Sequence, residues 1–190
     1  LLCNYLGTVP MRNEQVFSDV PTSHRYSKYI WAMNKLGIMM GDGAGHFNPD
    51  NELSMQEFAV MAMRMLEYGG AKTAEYKLSE VKEIESNPTD WPPDNQYTKD
   101  VLARLKKEAD WRARLAEGSY QSPIVFADSD KIAPWAKPAI DEFSKLGILQ
   151  GDSSGAGSRL NPTENMSKTR FLVFLYKIDQ KISLSGEIVF

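Results

Sequence analysis

One seven-residue pattern, identical at five positions, occurs twice, 110 positions apart, and it constrains the fold more than any other feature of the chain. Leu36-Gly37-Ile38-Met39-Met40-Gly41-Asp42 lies over Leu146-Gly147-Ile148-Leu149-Gln150-Gly151-Asp152. Upstream, Phe17-Ser18-Asp19 matches Phe126-Ala127-Asp128, and Ile30 matches Ile140. Downstream, Phe47-Asn48-Pro49 matches Leu160-Asn161-Pro162, and Leu53-Ser54 matches Met166-Ser167. Each copy reads as the end of one helix, a glycine-rich turn, an Asn-Pro corner and the capped start of a second helix. Units of this kind do not bury an apolar face alone; they stack on their neighbours.

The local signals fill in that outline. In the first unit, Thr22 and Ser23 are candidate caps for a helix ending near Leu36. Tyr26, Tyr29, Ile30 and Met33 recur at the steps of one helical face. Gly37 fits the left-handed residue that ends a helix, and Phe47 anchors the loop. Ser54 and Glu57 form a Ser-x-x-Glu capping box ahead of a helix over 58–68 that is apolar on most faces. In the second unit, Pro134 falls at a first helical position and Ala136, Ala139, Ile140 and Phe143 make the stripe. Pro138 is placed to bend that helix, and Ser167 caps the next one, through Phe171, Val173, Phe174, Leu175 and Ile178.

The units divide the chain into residues 16–70 and 123–182. Residues 71–122 are a charged helical insertion, with a loop at 86–93 and an amphipathic helix over 99–117 packed on the outside. Residues 1–7 resemble the tail of a preceding copy, and 183–190 form a C-terminal tail with some strand character.

Composition excludes several classes. A formal net charge of -3 without a basic run gives no footing for nucleic acid. No apolar stretch reaches membrane-spanning length, and residues 1–25 lack a secretory leader pattern. The single cysteine, Cys3, forms no intrachain disulfide and leaves the compartment open. His24 and His46 do not stand at metal-ligand spacing, and Asp42, Asp50 and Glu52 do not match a calcium loop. No nucleophile elbow, paired metal-binding histidines or phosphate loop is present, so no enzyme activity and no cofactor is expected of the chain.

Taken together, Phe-x-Asp, the apolar helix, Leu-Gly-Ile-x-x-Gly, the glycine turn, x-Pro and the hydroxyl cap closely resemble the S-layer homology (SLH) repeat. The resemblance implies an all-α fold with short irregular or strand pieces in its loops, its repeats stacked as a pseudo-threefold spindle. It implies non-covalent anchoring of a surface protein to secondary cell-wall polysaccharide, often through a pyruvylated sugar in grooves between repeats. The location it implies is extracellular, at the cell wall or S-layer.

The family's binding motif, Ile-Thr-Arg-Ala-Glu, falls on Leu53-Ser54-Met55-Gln56-Glu57 and Met166-Ser167-Lys168-Thr169-Arg170. The hydroxyl is kept twice, the glutamate once, and the arginine is replaced by Met55 and Lys168. Lysine still offers a point charge, without the two-pronged geometry of arginine. The family's helix-one tryptophan is present as Trp135, and its counterpart is Arg25. The expected ligand-binding residues are therefore Lys168, Arg170, Ser167 and Trp135, with Ser54 and Glu57 in the first copy; no metal ligands are expected.

Simpler roles stand beside these. Ser54 and Ser167 read as caps, Asp19 and Asp128 as acceptors for nearby backbone amides, and the methionines at 61, 63 and 65 as core filling. Two alternatives to a wall anchor remain: a repeat scaffold that has lost sugar recognition, and the appendage of an extracellular glycoside hydrolase. Were no further repeat to complete the bundle, apolar faces would be uncovered and self-association would follow.

Overall fold

The structure, a computed structural model, describes residues 12–110, 113, 121–153 and 157–184. Among them run α1 (Ser27–Lys35), α2 (Met55–Ser86), α3 (Gln96–Ala109), α4 (Lys137–Lys145) and α5 (Lys168–Leu184). Among the described residues strand is confined to an antiparallel ribbon, β1 (Asp152–Ser153) with β2 (Ser158–Arg159), in the second glycine loop. The expected all-α fold with strand pieces in its loops is the one observed.

Helix α2 is the centre of the molecule. Its start is fixed by the capping box: the Ser54 amide donates to Glu57 Oε2 at 2.8 Å, and the Glu57 amide to Ser54 Oγ at 3.4 Å. One side packs within its own unit, where Met65 lies buried against Ala32, Met33 and Ile38. Another side joins the second unit, where Met55, Phe58, Ala59, Ala62 and Leu66 share a core with Ile140, Phe143, Phe174 and Ile178. The Phe58 ring lies 4.8 Å from that of Phe171 and 5.0 Å from that of Phe174. Full burial of a side chain of this size stabilises by roughly 1.5–3 kcal/mol. The two apolar helices thus meet core to core; the expected third member, at residues 1–7, lies outside the described residues.

Several local expectations change. Helix α1 begins at Ser27, not beside Thr22 or Ser23, and no side chain caps it. Residues 21–27 turn instead, with Ser27 Oγ donating to the Thr22 carbonyl at 3.0 Å. Pro138, not Pro134, occupies the first turn of α4, where a missing N–H costs nothing and no bend results. Of the periodic face on α1, Ile30 and Met33 are buried, whereas Tyr26 and Tyr29 are exposed.

The largest change concerns the insertion. The helix expected over 58–68 runs on through Gly69 and Gly70 to Ser86, so the boundary drawn at residue 70 falls inside one helix. Two glycines cost about 1 kcal/mol each in a helix interior. That cost is offset further along, where Val81 and Ile84 are buried against Leu105 with Trp91, Val101 and Leu102 around them. The insertion is a helical hairpin whose first arm is the second half of α2 and whose second arm is α3. Its outer helix starts at Gln96, capped by Asn95, whose side chain accepts the Tyr97 amide at 2.8 Å. The part of the expected helix at 114–117, and the tail at 185–190, lie outside the described residues.

Candidate functional site

The two units are joined by backbone at the point where both second helices begin. Residues 53–55 and 164–166 run antiparallel, with Ser54 bridging Asn165. The Met55 amide donates to the Glu164 carbonyl at 3.0 Å, and the Met166 amide to the Leu53 carbonyl at 2.8 Å. The Gln56 amide donates to the Pro162 carbonyl at 3.0 Å, and Asn165 Nδ2 bonds Glu52 Oε2. Ser54 and Ser167, the caps of α2 and α5, are therefore brought to one junction. The first amides of α2 are taken up by the Glu164 and Pro162 carbonyls and by Ser54, so of the two helix starts that of α5 is the one whose amide-rich end favours an anion.

The side chains expected at the site divide into three groups. Ser54 and Glu57 bond each other, with Ser54 Oγ 2.6 Å from Glu57 Oε2. Ser167 Oγ accepts the Arg170 amide at 3.2 Å, a cap without a box because position 170 carries no carboxylate. Arg170 itself turns into its own loop. Its Nη2 donates to the Leu160 carbonyl at 3.3 Å and lies 3.5 Å from Asp152 Oδ2, and its Nη1 lies 3.7 Å from Glu164 Oε2. Lys168 is exposed and has no hydrogen bond or ion pair among the described residues.

Trp135 is 55% exposed, at the approach to α4. Its segment is tied to the first turn of α2, since the Ala133 amide donates to Gln56 Oε1 at 3.0 Å. The grouping of Trp135 with Lys168 and Arg170 is thereby changed: the tryptophan's segment is fastened to the first unit's cap, and the arginine is engaged inside the second unit. Met55, at the motif's arginine position, is 4% exposed and belongs to the shared core. Gln56 and Asn165, which fasten the junction, carry no signal in the sequence, because their partners are 77 and 113 residues away.

A second device shapes each loop. Asp19 Oδ1 and Oδ2 accept the amides of Phe47 and Asn48 at 2.9 and 2.6 Å; Asp128 accepts those of Leu160 and Asn161 at 2.9 and 2.8 Å. The Phe47 amide holds the Asp19 carboxyl below the ordinary carboxylate range. For Asp128, burial pulls upward, but the amides of Leu160 and Asn161 outweigh it and the net direction is down. Asp42 is held down by the His46 and Ala44 amides of its own turn, which engages the carboxylate considered for calcium. Among the described residues no group of three or more His, Cys, Asp or Glu side chains is placed to hold a metal. No helix among them is long and apolar enough to cross a membrane.

Both halves of this arrangement match a known family. The S-layer homology domain family matches residues 16–59 and again residues 125–168, each match running from the Phe-x-Asp corner into the second helix start. The chain carries two S-layer homology domains. The surface-layer 125 kDa protein of Lysinibacillus sphaericus is 22% identical over 198 residues, an alignment covering 95% of this chain and 16% of that relative. The chain thus spans 16% of the relative's length. No solved structure matches. In the first S-layer homology domain the second helix continues beyond the matched segment into the hairpin.

Proposed function

We propose that the chain anchors a larger surface protein non-covalently to the bacterial cell wall, by holding secondary cell-wall polysaccharide where the two S-layer homology domains meet. Attachment at the cell surface in general is supported by the two domains and by the surface-layer relative. The reading is that of a non-enzymatic binding module in an extracellular setting.

The observation that carries the proposal is the convergence of two capped helix starts beside an exposed lysine. The nearby acids have partners: Glu57 with Ser54, Glu52 with Asn165, Glu164 with Arg170. Lys168 is left to meet a carboxylate on the sugar, such as a pyruvyl group; Trp135, on the segment tied to the start of α2, offers a flat apolar face for a ring on that side of the junction. Arg170 contributes through the loop it holds.

Co-sedimentation with purified cell walls tests this. Lys168→Ala is expected to lower the bound fraction several-fold on native walls and to have little effect on walls stripped of pyruvyl groups. Equal binding of wild type and Lys168→Ala to native walls would refute the assignment. The second reading, a scaffold without sugar recognition, is favoured by the burial of Met55 and the engagement of Arg170. It predicts that wild type does not sediment with walls at all.

A further inference from the structure

The hairpin lies outside both segments that match the S-layer homology family, and its tip carries an aromatic pair of its own. The turn from α2 to α3 is held by short-range bonds. The Trp91 amide donates to the Asn87 carbonyl and the Asn95 amide to the Pro92 carbonyl, each at 3.0 Å. Trp91 is half-buried against the hairpin core of Val81, Ile84 and Leu105. The Tyr97 ring lies beside it, with centroids 6.0 Å apart and planes 12° from parallel, an offset stack. Tyr97 itself is 67% exposed. A tryptophan rooted in the core thus fixes the orientation of a tyrosine that faces solvent, which lowers the ordering cost of any contact on that ring.

The polar side chains of the same turn are set in pairs. Asn87 Nδ2 donates to Asp90 Oδ2 at 2.9 Å, and Gln96 Nε2 to Asp100 Oδ1 at 2.8 Å. Amides and carboxylates beside a flat ring suit a pyranose, whose hydroxyls both donate and accept while its C–H face lies on the aromatic. Charge narrows the class of sugar. Over residues 87–100 the charged side chains are Asp90, Asp94 and Asp100 against Lys99. That balance opposes an acidic sugar and fits a neutral one. Helix α2 has 32 residues, a rise of about 48 Å, so the tip stands a helix length along α2 from the junction at Ser54.

We propose that the hairpin tip is a second carbohydrate-binding point, taking a neutral, β-linked pyranose chain on the Trp91–Tyr97 pair. This site needs neither Lys168 nor the junction. With both sites engaged, the protein is held at two points, the second contact forming at the raised local concentration that linkage provides.

Calorimetric titration of the whole chain with N-acetylglucosamine hexamer and with cellohexaose, both uncharged, tests this. Wild type is expected to bind at least one of them saturably. Tyr97→Ala weakens that binding several-fold, Tyr97→Phe keeps it because the ring remains, and Lys168→Ala leaves it unchanged. Circular dichroism checks the fold of each variant. A measurement that needs no variant is the indole N–H resonance of Trp91 in the wild type, which shifts on titration while that of Trp135 does not. Wild type that binds neither oligosaccharide overturns the proposal, as it would if the tip docks on a protein instead. Equal binding by Tyr97→Ala also overturns it. So does loss of binding in Lys168→Ala, or a shift confined to Trp135, since either places the neutral sugar at the junction.

Discussion

Asp128 accepts the backbone amide of Asn161 at 2.8 Å, and Asn161 is held in the left-handed region at φ 54°. The same relationship joins Asp19 to Asn48, at 2.6 Å and φ 56°. Left-handed backbone disfavours most residues with a Cβ by about 1–2 kcal/mol, asparagine less than others. In both domains the carboxylate fixes two successive amides, so the chain turns sharply just before Pro49 or Pro162. The turn sets the line along which residues 53–55 and 164–166 meet, and it links the Phe-x-Asp corner to the junction proposed to bind sugar.

Removing the buried member of this pair should cost stability out of proportion to its size. Asp128 is buried, and hydrogen bonds to a charged group contribute about 1.5–3 kcal/mol each. Asp128→Ala strands two amides and is expected to destabilise by about 3 kcal/mol, read as a shift of the urea midpoint at constant slope. Asp19→Ala, at a more exposed corner, should shift the midpoint less. An equal shift for both would mean that burial does not set the effect.

The same carboxylates give stability a direction with pH. Each of Asp19, Asp42 and Asp128 has a folded pKa below its ordinary 3.8. Between the folded and unfolded values the unfolded chain binds more protons, so stability rises with pH there. The contribution is complete above the unfolded value and is lost as pH falls through the folded one. Urea midpoints should accordingly change little through these groups from about pH 5 to 7 and decline below about pH 4. Asp128→Asn should make that acid-side decline shallower; a decline as steep as wild type would remove Asp128 from the account.

Much of this was legible because it is local. The capping box at Ser54 and Glu57 and the glycine after each first helix are fixed by neighbours within a few residues; the corner aspartates read as acceptors of nearby amides, but the amides they hold lie 28 to 33 residues on. Tyr26 and Tyr29 mark where such reading stops: periodicity finds a face suited to cover, but not whether anything covers it. Gly69 and Gly70 read as a stop, yet packing of Val81 and Ile84 on the returning helix carries α2 through them. Trp135 and Lys168 share one motif grammar, but the sequence could not place the tryptophan's segment on the first domain, because the bond that does so, Gln56 to Ala133, spans 77 residues.

Two glycines of the repeated string should respond differently to alanine. Gly37 has φ 72° with nothing within 4 Å of an added Cβ, so Gly37→Ala meets only the left-handed penalty of about 1–2 kcal/mol. Gly151 has φ 69°, and its Cβ would also lie 2.7 Å from the Arg159 carbonyl oxygen and against Ser158 Oγ, forcing β1 and β2 apart. Gly151→Ala should therefore destabilise by at least about 1 kcal/mol more than Gly37→Ala. Thermal unfolding of the two variants side by side checks the order, and a reversed order would contradict the packing argument.

Restoring the family's glutamate in the second domain should weaken the protein. Arg170→Glu rebuilds Ser-x-x-Glu at Ser167, and a good cap contributes about 0.5–2 kcal/mol. The substitution also removes the guanidinium that joins the Leu160 carbonyl, Asp152 and Glu164, and brings a third carboxylate beside those two. A partly buried arginine that bridges a loop, a strand and the junction is worth more than the box that replaces it, because the lost contacts hold segments distant in sequence. The expected net loss is about 1–2 kcal/mol, a fall in Tm of roughly 2–8 °C for a chain of this size. Lys168→Ala, two residues away and exposed, should leave Tm unchanged while lowering wall binding. A Tm for Arg170→Glu at or above wild type would show that capping, not the loop clamp, governs this helix start.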